Sequence, residues 1–189
     1  MTRGDEARQR RQRPLTREGA WEYLLRVLAR QSYTVAELRR KLQLRGVPDG
    51  SVEELLARLQ ELRLVDDATY AEQYVASRKA SRGRLALSQE LRRKGIAEEL
   101  AAQRVGALTS AQQLEAATAL LNKNAWRYRP AVGRGAARSG EEQGVSPEHE
   151  SRVHLLKARA KAMGFLARRG FTADVATLAI ESSGWFEDS

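Results

Sequence analysis

The stretch Leu42-Gln43-Leu44-Arg45-Gly46-Val47 returns twice in altered form, as Leu91-Arg92-Arg93-Lys94-Gly95-Ile96 and as Leu166-Ala167-Arg168-Arg169-Gly170-Phe171. Each copy places Leu four residues before a glycine, a cation immediately before it and an apolar residue immediately after it. That spacing is the signature of a helix ending. Cations favour the negative end of the helix dipole, glycine adopts the left-handed conformation that stops the helix, and the next apolar residue packs back on the last turn. A further apolar residue eight positions before each glycine (Leu38, Leu87, Ala162) extends the buried stripe of the helix.

Outward from each glycine the sequence predicts two flanking helices. Before Gly46, residues 20 to 30 carry Trp21, Leu24, Leu25 and Leu28 at helical spacing, and after it Ser51-x-x-Glu54 reads as a capping box opening a helix with Leu55, Leu59 and Leu62. Thr34-x-x-Glu37 reads as the box that opens the central helix. The second unit begins at Asp66-Asp67, runs through Tyr70, Tyr74 and Val75, breaks near Gly83, closes its central helix at Gly95 and ends with a helix over 97 to 105. Ser110-x-x-Gln113 reads as the start of the third unit.

The expected fold is all-α, a tandem repeat of three three-helix units forming an elongated, curved array. Its expected divisions are a disordered basic arm over 1–14, repeats over 15–65, 66–108 and 109–184, and a tail over 185–189. The glycines are 49 residues apart between the first two units and 75 between the second and third, so the third unit holds an insertion. Residues 129–150, rich in Gly and charge and without an apolar period, are expected to form it as a mobile loop.

Composition narrows the function. The 189 residues carry 33 Lys and Arg against 24 Asp and Glu, a net charge of +9, which suits polyanions or acidic protein surfaces as partners. Residues 1–17 hold six Arg and two acids, so the arm alone supplies +4 and the body is only mildly basic. Absence of cysteine excludes disulfides, thiolate zinc sites and thiol catalysis. No apolar run approaches the roughly 20 residues that span a bilayer, and the N-terminus lacks a signal-peptide core. A soluble cytoplasmic monomer is expected.

Cations concentrate on the central helices: Arg39, Arg40, Lys41 and Arg45; then Arg84, Arg92, Arg93 and Lys94; then Lys157, Arg159, Lys161, Arg168 and Arg169. Acids open the third helices instead, as Glu53, Glu54, Glu98, Glu99 and Asp174. Helix-dipole complementarity alone accounts for Arg45, Lys94 and Arg169, whereas three basic clusters together suggest a shared curved binding surface. Asp66, Asp67 and Glu72 read as a helix start, not a metal site, and His149 and His154, five apart, lack the one-face spacing of a helical zinc pair. Gly133-Arg134-Gly135 is not a dinucleotide fingerprint and no phosphate-cradling loop is present, so neither cofactor nor catalysis is expected. Trp21, Tyr23, Tyr70, Tyr74, Trp126, Phe165 and Phe171 fall mostly at core spacing, while Trp185 and Phe186 lie beyond the last helix.

Three trihelical units with these central helices resemble the RecX regulatory family. Residues Ala29 to Leu38, the run Leu64-Val65-Asp66-Asp67-Ala68-Thr69-Tyr70-Ala71-Glu72-Gln73-Tyr74-Val75-Ala76-Ser77-Arg78 and Phe165-Leu166-Ala167-Arg168-Arg169-Gly170-Phe171 carry the resemblance, in family order. The N-terminal arm and the 129–150 insertion depart from it. The resemblance implies a non-enzymatic regulator in DNA repair, recombination and the SOS response, lying along the RecA filament on single-stranded DNA. It would lower ATPase, strand-exchange and coprotease activity, with DNA contacted directly or through RecA. The cations Arg39, Arg40, Lys41, Arg45, Arg84, Arg92, Arg93, Lys94, Arg159, Lys161, Arg168 and Arg169 are the expected contacts. The alternative is a helix-turn-helix-like regulator binding duplex DNA.

Overall fold

The computed structural model describes residues 15–129 and 147–186, and within them there are ten helices and no strand. The first segment comprises α1 (Arg17–Leu28), α2 (Val35–Gln43) and α3 (Asp49–Glu61). The second comprises α4 (Asp67–Arg78), α5 (Arg84–Arg93) and α6 (Glu98–Gly106). The third holds α7 (Ser110–Lys123), the single turn α8 (Ala125–Tyr128), α9 (Pro147–Arg168) and α10 (Ala173–Glu181). The expected disorder of 1–14 lies outside the described residues. So do positions 130–146 of the expected loop, but its last four residues, 147–150, belong to α9.

The repeated glycine closes α2, α5 and α9 by one device. Gly46, Gly95 and Gly170 have φ of 70, 81 and 80°. The following amides return to the carbonyl of the Leu four before the glycine, Val47 N to Leu42 O at 3.2 Å, Ile96 N to Leu91 O at 3.1 Å and Phe171 N to Leu166 O at 3.2 Å. These three leucines, with Leu38, Leu87 and Ala162, are fully buried, and Val47, Ile96 and Phe171 are nearly so. A fourth ending of the same form closes α3, where Leu64 N bonds Leu59 O at 2.9 Å, yet its left-handed residue is Arg63 at φ 54°.

The starts differ in part from the expected boxes. Thr34 caps α2 as expected: its hydroxyl accepts from Glu37 N at 3.1 Å while Glu37 accepts from Thr34 N at 3.2 Å. The box before α7 is Thr109 with Gln112, one residue earlier than the expected Ser110–Gln113 pair. Gln113 is instead buried, and its side-chain oxygen accepts from Arg84 N at 2.9 Å. Ser51 and Glu54 form no box, because the helix starts at Asp49, directly after Pro48, which places Ser51 inside the first turn.

The chain divides into two compact units, residues 1–74 with 90–101 and residues 75–89 with 102–189, so the middle three-helix segment is shared between them. The core of the first gathers Ala20, Leu24, Leu38, Leu42, Val52, Leu55, Leu56 and Leu59. Two residues of the expected stripes, Leu25 and Leu62, are exposed instead, while Val52 and Leu56, which those stripes left out, join the core and Val27 packs against it. The core of the second unit joins Ala117, Leu121, Tyr128, Phe165, Leu166, Phe171, Ala179 and Ile180. Trp185 and Phe186 pack against that core.

Candidate functional site

The glycines that end the later central helices also make close contacts. In the first unit a Cβ on Gly95 would overlap the Cβ of Ala36, in the first turn of α2. Around this contact the buried Thr34 hydroxyl, already a cap, donates to Lys94 O at 2.6 Å. The hydroxyl thereby uses its donor and an acceptor position, which satisfies a polar group hidden from water. Lys94 Nζ sits 2.8 Å from Glu37 Oε1 and lies 5.4 and 5.7 Å from the ring centroids of Tyr70 and Tyr74. Burial disfavours the Lys94 charge, but hydrogen bonds with Glu37 and Tyr70 outweigh it and hold the ammonium above its ordinary pKa.

The second unit repeats the contact with other atoms. A Cβ on Gly170 would overlap the backbone and side chain of Ala86 in α5, and one on Gly83 would overlap the Gly170 carbonyl. Gly83 N donates to Arg169 O at 2.8 Å and Leu85 N to Gly170 O at 3.0 Å. The two carbonyls just past the end of α9 thus pair with amides at the start of α5, where a helix leaves its amides open.

These junctions sort the expected basic residues. The cation directly before each glycine lies over an aromatic ring: Arg45 at 4.6 Å from the Tyr23 centroid, Lys94 on Tyr70 and Tyr74, and Arg169 at 5.2 Å from Phe165. Arg169 also donates to Ser81 O at 3.5 Å. Arg84 belongs to the framework too, with its amide on Gln113 and its guanidinium on the Leu108 carbonyl. Lys94 and Arg84 therefore have structural duties that explain their presence. Arg39 forms a two-pronged pair with Glu53, both contacts at 2.8 Å, which raises the arginine pKa and lowers that of the carboxylate. Lys41 lies 4.6 Å from the Tyr33 centroid.

Exposed cations remain on the central helices: Arg40, Arg92 and Arg93 in the first unit, and Lys157, Lys161 and Arg168 in the second. Arg92 and the half-buried Arg159 make solvent-facing pairs with Glu98 at 3.2 Å and Glu181 at 3.6 Å, contacts of small energetic weight.

The acidic cluster has local employment. Asp66 accepts from Ala68 N at 2.8 Å and from the Thr69 hydroxyl at 2.7 Å, the geometry of a helix cap. Asp67 accepts from Val35 N at 2.9 Å, and burial raises its pKa against the effect of that bond. Glu72 and His154 are exposed, and the side chain of His149 lies outside the described residues.

Of the aromatic residues expected in the core, Phe165 and Phe171 are buried and Trp21, Tyr23, Tyr70 and Tyr74 are half-buried, but Trp126 is 81% exposed. The helical period fails there because Asn124, at φ −110° and ψ 20°, interrupts the helix between α7 and α8. Tyr128, not Trp126, turns inward, with its ring 4.9 Å from that of Phe165. The asparagine was the signal in the sequence.

Tandem three-helix segments with glycine-terminated central helices define an all-helical protein. Residues 20–59 match the first three-helix domain of RecX and residues 66–103 the second. The regulatory protein RecX of Thermobifida fusca is 38% identical over 154 residues, covering 80% of this chain and 71% of its own length. That of Mycolicibacterium smegmatis is 34% identical over 168 residues, covering 87% and 80%. The crystal structure of RecX from Lactobacillus salivarius superposes with a TM-score of 0.67 at 23% identity, over 88% of this chain and 95% of that one, a likeness of fold. The chain belongs to the RecX family of regulatory proteins. Among the described residues no helix is long and apolar enough to cross a membrane.

Proposed function

We propose that this protein binds the RecA filament on single-stranded DNA in the cytoplasm and lowers its ATPase, recombinase and coprotease activities without catalysing a reaction itself. The observation that carries this reading is the set of exposed cations left on the central helices, Arg40, Lys161 and Arg168 foremost, in a family whose members are named regulatory proteins. A repeating protein lattice offers many weak contacts that add through effective concentration, which suits dispersed charges better than one tight site would. Duplex binding by a third helix is disfavoured, because α3, α6 and α10 all open with acids that a phosphate groove would repel.

The test is the RecA ATPase on single-stranded DNA with sub-stoichiometric added protein. The expected result is a fall in rate that the variant Arg40→Glu/Lys161→Glu/Arg168→Glu largely abolishes, while its affinity for naked DNA at the same salt falls much less. An unchanged ATPase with excess protein would remove the proposal. Parallel losses in both assays would assign the inhibition to competition for DNA.

A further inference from the structure

Among the described residues Trp126 is the most exposed large apolar side chain, and it is held out instead of trailing. Asn124 closes α7 by donating its side-chain amide to Leu120 O at 2.7 Å, and the Arg129 amide bonds Ala125 O at 2.8 Å, fixing the single turn α8. Tyr128 anchors that turn in the core of the second unit against Phe165. Residues two apart on a helical turn point about 200° from each other, so the anchoring of Tyr128 directs Trp126 to solvent.

The chain on either side of the ring is cationic. Residues 116–129 contain Lys123, Arg127 and Arg129 and no acid. All three cations are exposed, as is Asn122, and the Arg127 guanidinium lies 5.8 Å from the Trp126 ring centroid. The centre of a protein interface is desolvated and depleted of lysine, and although tryptophan and arginine are both common there, Lys123, Arg127 and Arg129 are all left in water here. An exposed ring with one guanidinium near it and further exposed cations three residues before and after it along the chain is instead an arrangement that can receive a nucleobase on its face and the adjoining phosphates on its charges.

We infer that Trp126, with Lys123, Arg127 and Arg129, is a stacking site for an unpaired base of single-stranded nucleic acid. The site concerns the strand alone, so it stands apart from the RecA reading and supplies a direct contact with the DNA. It has no base preference of its own, since every base presents a π-face and these cations meet phosphate. Duplex DNA, whose bases are already stacked, has no face to offer.

The full-length protein is titrated against a labelled oligothymidylate, and Trp126→Ala is compared with Trp126→Phe and Arg127→Glu. Because the Trp126 side chain is exposed, its removal leaves the core untouched. Trp126→Ala is expected to weaken binding about 5- to 150-fold, the range for loss of one stacked base, and Trp126→Phe to retain most of the affinity. On an abasic oligomer of equal length the wild type and Trp126→Ala should bind alike, whereas Arg127→Glu should still weaken binding and flatten its salt dependence. Equal affinities of wild type and Trp126→Ala for oligothymidylate would overturn the site, as would an equal loss on the abasic strand or on duplex. If Trp126→Ala leaves strand binding intact but abolishes inhibition of RecA, the ring is a protein contact and the stacking site is wrong while the filament reading stands.

Discussion

The junctions at Ala36–Gly95 and Ala86–Gly170 solve one packing problem by different chemistry. In both, a left-handed glycine at the end of one central helix lies against an alanine in the first turn of another, because no Cβ fits between them. At the first, the capping position of the receiving helix is Thr34, whose hydroxyl reaches the Lys94 carbonyl, and an ion pair and two tyrosine rings surround the contact. At the second, that position is Gly83, and with no side chain the backbones approach until amide meets carbonyl directly. A repeat can therefore preserve the geometry of a junction while exchanging side-chain hydrogen bonds for backbone ones. The direct version is the less forgiving, since a carbonyl cannot be trimmed by substitution.

That difference is most sharply exposed by adding one carbon. Gly83→Ala should destabilise the protein by about 3 kcal/mol or more, as its methyl group meets only the Gly170 and Phe171 backbone. Gly95→Ala should also be costly, from the collision with Ala36 Cβ and the strain of its φ of 81°, but Ala36→Gly in the same chain should recover the collision part. Urea unfolding of the four proteins checks both statements. If Ala36→Gly gave no recovery, the contact at position 95 would not be the side-chain clash described.

A smaller effect is expected from Thr34→Val, which keeps the shape and removes the hydroxyl. Losing an N-cap costs about 1 kcal/mol and a buried hydrogen bond about another, so a loss of roughly 2 kcal/mol is expected, largely restored in Thr34→Ser. Calorimetry on the three proteins decides it. A Val variant as stable as the wild type would mean that the first junction rests on the Lys94 pair and the rings, not on the hydroxyl.

The smallest effect should have the opposite sign. Arg63 occupies the left-handed position that glycine fills in the other three endings, at a conformational cost of roughly 1–2 kcal/mol for a residue with a Cβ. Arg63→Gly removes that cost but adds flexibility to the unfolded chain, leaving a net gain of about 0.5–1 kcal/mol in a thermal melt. A destabilised variant would show that the Arg63 side chain does more for the fold than its backbone strain takes away.

The helices and their ends were legible because they are local. Leu four before a glycine with a cation beside it determines a stop from interactions within six residues, and Leu42, Leu91 and Leu166 are buried as the periodicity requires. Starts were less legible: Thr109 and Ser110 both suit a cap, and only the pull of buried Gln113 towards Arg84 selects between them. The basic residues were legible as a group and not one by one. Arg39 and Arg40 are neighbours in sequence with the same charge, yet Arg40 is exposed and Arg39 is committed to Glu53 by two contacts.

By itself, then, the sequence determined the all-helical plan, its recurrence and the glycine endings, since propensity, capping and amphipathic spacing act over a few residues. Only the tertiary structure decided that Gly83 and Gly95 are points of backbone contact, that Arg84 and Lys94 belong to the framework, and that Trp126 faces water while Tyr128 does not. Those outcomes depend on which atoms from distant positions arrive in the same place. One-dimensional spacing records the face a residue occupies on its helix, but not what the rest of the chain brings against that face.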